Sequence, residues 1–175
     1  MDQQTLIRIW EEAWTDGVWY ASWEKAIDVT AAQAAWRPEP GRHSIWQILN
    51  HMLFWQDYTL RALAGDKPGR EEVDRRSWEE PLDPAESAWT QVRQRFAASC
   101  GAMLDSMRAG GTGLERLVYH LPHESYHMGQ IMYLRAMQGP GTDRVTSGSG
   151  KQETGIGKRR SFLSVSCFPL TLVSA

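Results

Sequence analysis

The sequence predicts an all-α protein, a four-helix bundle followed by an irregular C-terminal tail. Apolar residues in positions 1–139 recur every three or four residues, which is typical of helices that bury one face. Two of these patterns begin with serine or threonine placed three residues before glutamine, a capping box that indicates a helix start. This region shows neither the alternation of a strand nor an internal repeat, so amphipathic helices are expected to form the core.

Three helical pieces are predicted before the first proline-rich loop. Their apolar stripes and caps place them at residues 3–14, 22–28 and 30–36. Two prolines and a glycine in residues 37–41 cannot continue a helix, so a loop is expected there.

Three long amphipathic helices follow, and together with the first helix they make the four of the bundle. One runs from about Ser44 to Ala64, and a charged loop is expected from Asp66 to about Leu82. The next begins with the cap Asp83-Pro84-Ala85-Glu86 and ends at Gly110-Gly111. The last covers about Leu114 to Met137.

The composition changes after Gly139, which predicts a bundle domain at residues 1–139 and a separate tail at residues 140–175. The tail is first rich in Gly, Ser and Thr, a composition typical of a linker or disordered chain. Its apolar end fits poorly with a bundle and would form at most a strand-like segment or a contact with a partner.

Charge and hydropathy exclude several classes of protein. The formal net charge of −2 argues against a nucleic-acid or anionic-membrane partner. No segment reaches the roughly 18 apolar residues of a membrane helix, and the N-terminus lacks the pattern of a signal peptide. The two cysteines do not make a disulfide framework. The expected location is therefore the cytoplasm.

The histidines carry the strongest indication of chemistry. His123 and His127 lie one helical turn apart and share a face with Ile131 and Leu134, so both are expected to point into the core. One inward histidine is usually a satisfied core residue, but two need polar partners that an apolar core does not offer. A metal ion bound by neutral imidazole nitrogens would satisfy both.

His51 is the preferred third ligand, because it flanks the apolar stripe of a helix that would face the last one. Three protein ligands with an open position are typical of catalytic zinc. His120 ranks lower, since Pro122 separates it from His123 and predicts a kink or a restart of the helix. His43 precedes a helix and is expected on the surface.

The stretch HESYH, residues 123–127, also fits H-E-x-x-H, the zinc protease motif in which Glu124 would be the general base. The extended form of that motif needs glycine and histidine where this chain has Gln130 and Tyr133. A di-iron bundle would need a second E-x-x-H motif, which the chain lacks. Both alternatives are less favoured than a three-histidine site.

Two separated stretches resemble the DinB/YfiT-like superfamily. They read W-x-P-x-P-G-R-H-S-I-W-Q-I-L-N-H at residues 36–51 and H-E-S-Y-H-M-G-Q-I-M-Y-L-R at residues 123–135. The resemblance covers roughly residues 3–139 and implies a four-helix bundle, often dimeric, with a metal held by three histidines. In this sequence those positions are His51, His123 and His127.

The resemblance also implies a class of reaction. Relatives include metal-dependent S-transferases for low-molecular-weight thiols such as bacillithiol and mycothiol, and a mycothiol-dependent isomerase. A divalent metal, zinc or nickel in the first place, would lower the thiol's pKa, and the thiolate would attack an electrophile. The aromatic wall holding that electrophile would include Trp55, Tyr58 or Trp14.

Two points stay open at this stage. Glu124 would either orient an imidazole or be a solvated helix residue, and we expect it to be solvated. As a catalytic group, Glu124 is only a weak candidate. The alternative function is a non-catalytic metal-binding bundle of the stress response that acts through a protein partner. In either case a homodimer is expected from the resemblance.

Overall fold

The computed structural model describes residues 2–18, 20–81, 83–111 and 113–139, so the predicted tail lies outside the described residues. The described part is helical and contains no strand, which confirms the all-α prediction. Its helices are α1 (Gln3–Thr15), α2 (Trp23–Ala26), α3 (Ala31–Ala35), α4 (Ile45–Leu63), α5 (Arg70–Arg76), α6 (Glu86–Ala109), α7 (Leu114–Val118) and α8 (His120–Met137).

The four long helices α1, α4, α6 and α8 form the predicted bundle. Helix α4 packs against both α6 and α8, while α1 packs against α6. The short helix α2 bridges α1 and α8, and α3 lies against α4 and α6. The contact between α4 and α8 matters most for function, because these two helices carry the predicted metal ligands.

Helix α4 starts at the predicted capping box. The backbone N–H of Gln47 donates to Ser44 Oγ at 3.1 Å, and the Ser44 N–H donates back to Gln47 Oε1 at 3.2 Å. Two of the donors that a helix start leaves without partners are satisfied in this way. The cap fixes the start of α4 two turns before His51.

Tryptophans fill the centre of the bundle. Trp10, Trp23 and Trp89 are fully buried, and the rings of Trp10 and Trp23 meet edge to face at 4.9 Å. Trp10 Nε1 donates to the Cys100 carbonyl at 3.1 Å, and Trp89 Nε1 donates to the Val29 carbonyl at 2.7 Å. The large apolar rings are buried, and two of their indole N–H groups are satisfied by backbone carbonyls. These two hydrogen bonds connect α6 to α1 and to the segment before α3.

The prediction of a loop throughout residues 66–82 was wrong, because α5 lies within it. This helix has Glu71 and Glu72 in its first turn and Arg75 and Arg76 in its last turn, which complement the helix dipole. None of its residues is buried, so it lacks the apolar stripe that would have indicated a helix.

Two predicted helix starts also needed correction. Helix α6 begins at Glu86 with Ala85 as its N-cap, and the Asp83 carboxylate instead accepts from the Ala85 N–H at 3.1 Å. The last helix is divided at Tyr119 into α7 and α8, so the predicted restart lies in the turn before Pro122 and not between His120 and His123. Pro122 is the third residue of α8, where a backbone N–H would have no helical partner in any case.

Among the described residues, none of the helices is both long and apolar enough to cross a membrane.

Candidate metal centre

The packing of α4 against α8 brings the three predicted ligands together. His51, His123 and His127 each offer a ring nitrogen, and these nitrogens lie within 4.8 Å of one another. The Nε2 atoms of His51 and His123 are 3.3 Å apart. Two ligands of a tetrahedral site with metal–nitrogen bonds of about 2.0 Å would be separated by roughly the same distance.

Two of the three imidazoles are oriented by oxygen atoms at Nδ1. His51 Nδ1 lies 2.7 Å from the Ser77 carbonyl, and His127 Nδ1 lies 2.7 Å from Gln130 Oε1. Both oxygens accept hydrogen bonds, so each Nδ1 must carry the hydrogen. The Nε2 atoms of these rings are left with free lone pairs, as metal ligands require.

Burial keeps two of the three imidazoles, those of His51 and His127, neutral. Burial lowers the pKa of His51 to about 4, although its hydrogen bond to Ser77 works in the opposite direction. Burial also lowers the pKa of His127, and the neighbouring His123 adds to this shift. Neutral imidazoles at neutral pH are the form that binds metal.

His123 completes the cluster but is held differently. Its Nε2 faces His51, while its Nδ1 is buried without a hydrogen-bond partner among the described residues. The acidic oxygen nearest to that nitrogen is Glu124 Oε1, at 3.7 Å. A cation at the cluster would use the Nε2 lone pairs of His51 and His127, whereas the bonding of His123 Nδ1 depends on Glu124.

Glu124 is wholly buried, which corrects the expectation that it is solvated. Its Oε1 accepts from Gln56 Nε2 at 3.2 Å and lies 3.2 Å from His120 Nδ1. Burial alone would raise the pKa of Glu124, but the hydrogen bond from His120 and the proximity of His123 outweigh it and lower this pKa. The carboxylate therefore lies between α4 and α8 as part of a polar network.

A second group, His120, His123 and Glu124, also has ligand atoms close enough to hold a metal. Both nitrogens of His120 already have partners, because its Nε2 lies 2.8 Å from Thr59 Oγ1 and its Nδ1 bonds to Glu124. His120 is therefore a satisfied interhelical residue, and the three-histidine group is the better candidate site.

The predicted aromatic wall is found only in part. Trp55, Tyr119, His120 and His123 line a pocket of about 450 Å³ at the edge of the cluster. Tyr58 lies behind Trp55, with ring centroids 5.2 Å apart. Trp14 does not line this pocket; it packs against Phe96 on α6 and lines a different cleft.

Trp78 was missed in the sequence. Its ring stacks on His51 at 3.7 Å and on the exposed His43 at 3.9 Å. Ser77 is the C-cap of α5 and Trp78 follows it directly, so the end of this helix positions both the Ser77 carbonyl and the Trp78 ring beside His51. A lone tryptophan in a charged stretch was the available signal. Gln130, three residues after His127, could have been found from helical spacing.

The fold and the cluster define a helical bundle with a candidate three-histidine metal site. The sequence model of the DinB superfamily matches residues 15–138, a range that includes all three histidines, and the chain belongs to this superfamily. Comparisons with curated proteins and with solved structures gave no match.

Proposed function

We propose that this protein is a metal-dependent enzyme of the thiol S-transferase type. In this proposal His51, His123 and His127 bind one divalent metal, and a low-molecular-weight thiol is activated for transfer to an electrophile. The observation that carries it is the convergence of three imidazole nitrogens within 4.8 Å, at the edge of a pocket. Three protein ligands leave a position open for a thiol.

The donor set suits zinc or nickel. Imidazole is a common ligand of both metals, and Nδ1 hydrogen bonds to Ser77 and Gln130 fix two of the rings with Nε2 free. When bound, the metal would lower the pKa of a coordinated thiol, so that a thiolate is available at neutral pH.

The pocket beside His123 suggests the class of electrophile. Among the described residues its lining consists of four rings, those of Trp55, Tyr119, His120 and His123, and includes no Lys or Arg. A flat, uncharged molecule would stack on such a surface, whereas a carboxylate substrate would find no fixed positive side chain there. We therefore propose an uncharged, apolar electrophile.

The test is conjugation of an uncharged fluorogenic electrophile with bacillithiol or mycothiol, with and without Zn²⁺ or Ni²⁺. We expect a rate that requires the metal and is lost in His51→Ala. His43→Ala serves as the control, since His43 is an exposed histidine and is not in the cluster. Conjugation that does not depend on the metal would count against the proposal.

The second candidate is a non-catalytic metal-binding bundle of the stress response that acts through a protein partner. The observation in its favour is a row of exposed large side chains on one side of α8 and just before it, namely Tyr119, Tyr126, Tyr133 and Met137. The same row could serve the homodimer that the family resemblance implies. A fourth protein ligand closing the metal site would favour this candidate over the enzyme.

The metallopeptidase alternative loses support. Its general base would be Glu124, which is wholly buried and already accepts hydrogen bonds from Gln56 and His120. A wholly buried carboxylate that is engaged by two donors is poorly placed to activate a water from the solvent.

A further inference from the structure

Glu124 is a buried carboxylate whose polar contacts among the described residues carry no fixed positive charge. The donors around its Oε1 are Gln56 Nε2 and His120 Nδ1, each at 3.2 Å, with His123 Nδ1 at 3.7 Å. Its Oε2 is buried and has no hydrogen-bond partner among the described residues. A buried carboxylate without a partner cation is strongly unfavourable, so a nearby cation would stabilise it.

The three cluster histidines differ in how their Nδ1 atoms are held. A carbonyl accepts from His51 and an amide oxygen accepts from His127, both at 2.7 Å. His123 Nδ1 has no such bond, and the oxygen facing it belongs to Glu124. Glu124 therefore occupies the place at His123 that Ser77 and Gln130 occupy at the other two rings.

We propose that Glu124 is the positioning residue of His123. Its carboxylate competes with His51 Nε2, which lies 3.3 Å from His123 Nε2, for the single hydrogen of His123 and holds that hydrogen on Nδ1. The Nε2 lone pair is then free for a cation, and the carboxylate places a negative charge beside the cation site. The role in metal binding rests on the proposed function. A cation bound at Nε2 would make the Nδ1 hydrogen more acidic and would strengthen its interaction with the Glu124 carboxylate, whose Oε1 lies 3.7 Å away.

A role of Glu124 as a direct metal ligand is the competing assignment. It would recruit His120, whose two nitrogens are engaged by Thr59 and Glu124 itself, and would replace at least one of these bonds. The positioning role breaks neither. The two assignments differ in what removal of the carboxylate does to the stoichiometry of metal binding.

The experiment compares Zn²⁺ affinity of wild type, Glu124→Gln and Glu124→Leu by competition with a chromophoric chelator. Glu115→Gln, the same change at an exposed position on α7, is the matched control. Loss of an outer hydrogen-bond partner typically weakens metal binding about 10–100-fold. We expect roughly 10-fold for Gln, which keeps an acceptor oxygen, and roughly 100-fold for Leu, with one Zn²⁺ still bound at saturation and Glu115→Gln unchanged.

Nitrogen-15 NMR of the imidazoles in the metal-free proteins gives a second readout, which does not depend on metal binding. In wild type we expect the hydrogen of His123 on Nδ1, and in Glu124→Leu a shift toward the Nε2-protonated tautomer. Circular dichroism checks that each variant folds. If Glu124→Leu does not fold, the comparison of wild type with Glu124→Gln is the test.

Three outcomes would overturn the positioning role. Unchanged Zn²⁺ affinity in both variants would show that the carboxylate does not act on the site. Complete loss of binding in Glu124→Gln would make Glu124 a ligand. A His123 tautomer that is the same with and without the carboxylate would exclude positioning, even if wild type bound no Zn²⁺ and the proposed function itself failed.

Discussion

At the residue scale, the position of one hydrogen on each imidazole determines what the histidines can bind. The Ser77 carbonyl and Gln130 Oε1 hold the hydrogens of His51 and His127 on Nδ1. The lone pair of each Nε2 is therefore available to bind a metal. His120 lies on the same helix as His123 and His127, but both of its ring nitrogens have hydrogen-bond partners. The difference between a ligand and a structural histidine therefore lies in these hydrogen bonds.

Replacement of any cluster histidine should remove the site. We expect His51→Ala, His123→Ala and His127→Ala each to lose stoichiometric metal binding, because two remaining imidazoles hold a divalent cation far more weakly than three. Elemental analysis of the purified variants measures this, with His43→Ala as the control. A His51→Ala protein with normal metal content would make His120 the candidate instead.

The low pKa of His51 predicts a pH dependence of the metal-free protein. Burial lowers this pKa to about 4, whereas the unfolded chain takes up the proton near pH 6.5. Between these values the unfolded state binds more protons, so the free energy of unfolding should decrease as the pH falls from about 6.5 toward 4. Urea unfolding and imidazole NMR across this window check it. Titration of His51 near pH 6.5 in the folded protein would contradict the prediction.

At the element scale, the turn before α7 controls how the last helix approaches α4. Gly113 has a φ of +106°, and a Cβ added there would lie 2.2 Å from Leu63 Cδ2 at the end of α4. The backbone conformation favours a glycine, and a Cβ would in addition displace the flexible end of the Leu63 side chain. This turn therefore helps to bring α8 into position beside α4.

Gly113→Ala should destabilise the protein by about 1–3 kcal/mol, since it adds backbone strain and a contact that Leu63 must relieve. Gly111→Ala is the matched control, because Gly111 also has a positive φ of +94° but nothing within 4 Å of an added Cβ. Denaturant unfolding should show a smaller loss of unfolding free energy for Gly111→Ala than for Gly113→Ala. Equal losses in both variants would mean that the contact with Leu63 is unimportant.

The elements also show where sequence reasoning succeeds and where it does not. The Ser44–Gln47 cap and the inward faces of His123 and His127 are local patterns, and local patterns are readable in one sequence. Helix α5 buries nothing and follows no apolar period, so neither it nor the Ser77 carbonyl beside His51 could be predicted. The burial of Glu124 was also missed, since it depends on where α4 packs.

At the scale of the whole molecule, the candidate site joins two helices that are distant in the chain. His51 lies on α4, and the other two ligands lie on α8. A metal bound there would link the two halves of the bundle and stabilise the folded state, because the unfolded chain does not present the three imidazoles together.

Removal of the metal should therefore lower the melting temperature. At a free metal concentration of 100 times the Kd, binding contributes about 2.7 kcal/mol, which corresponds to a shift of about 5–10 °C for a protein of this size. Thermal unfolding with and without a chelator measures the shift. His51→Ala should show no chelator effect, and a wild type that melts at the same temperature in both conditions would contradict a stabilising metal.

The proposed site is a divalent metal held by three histidines with a position left open. X-ray absorption spectroscopy of the purified, metal-loaded protein, with elemental analysis of the same sample, tests this coordination. We expect one metal per chain with three imidazole nitrogens in its coordination sphere, and loss of that metal in His51→Ala. A sphere containing the Glu124 carboxylate in place of an imidazole, or no bound metal at all, would contradict it.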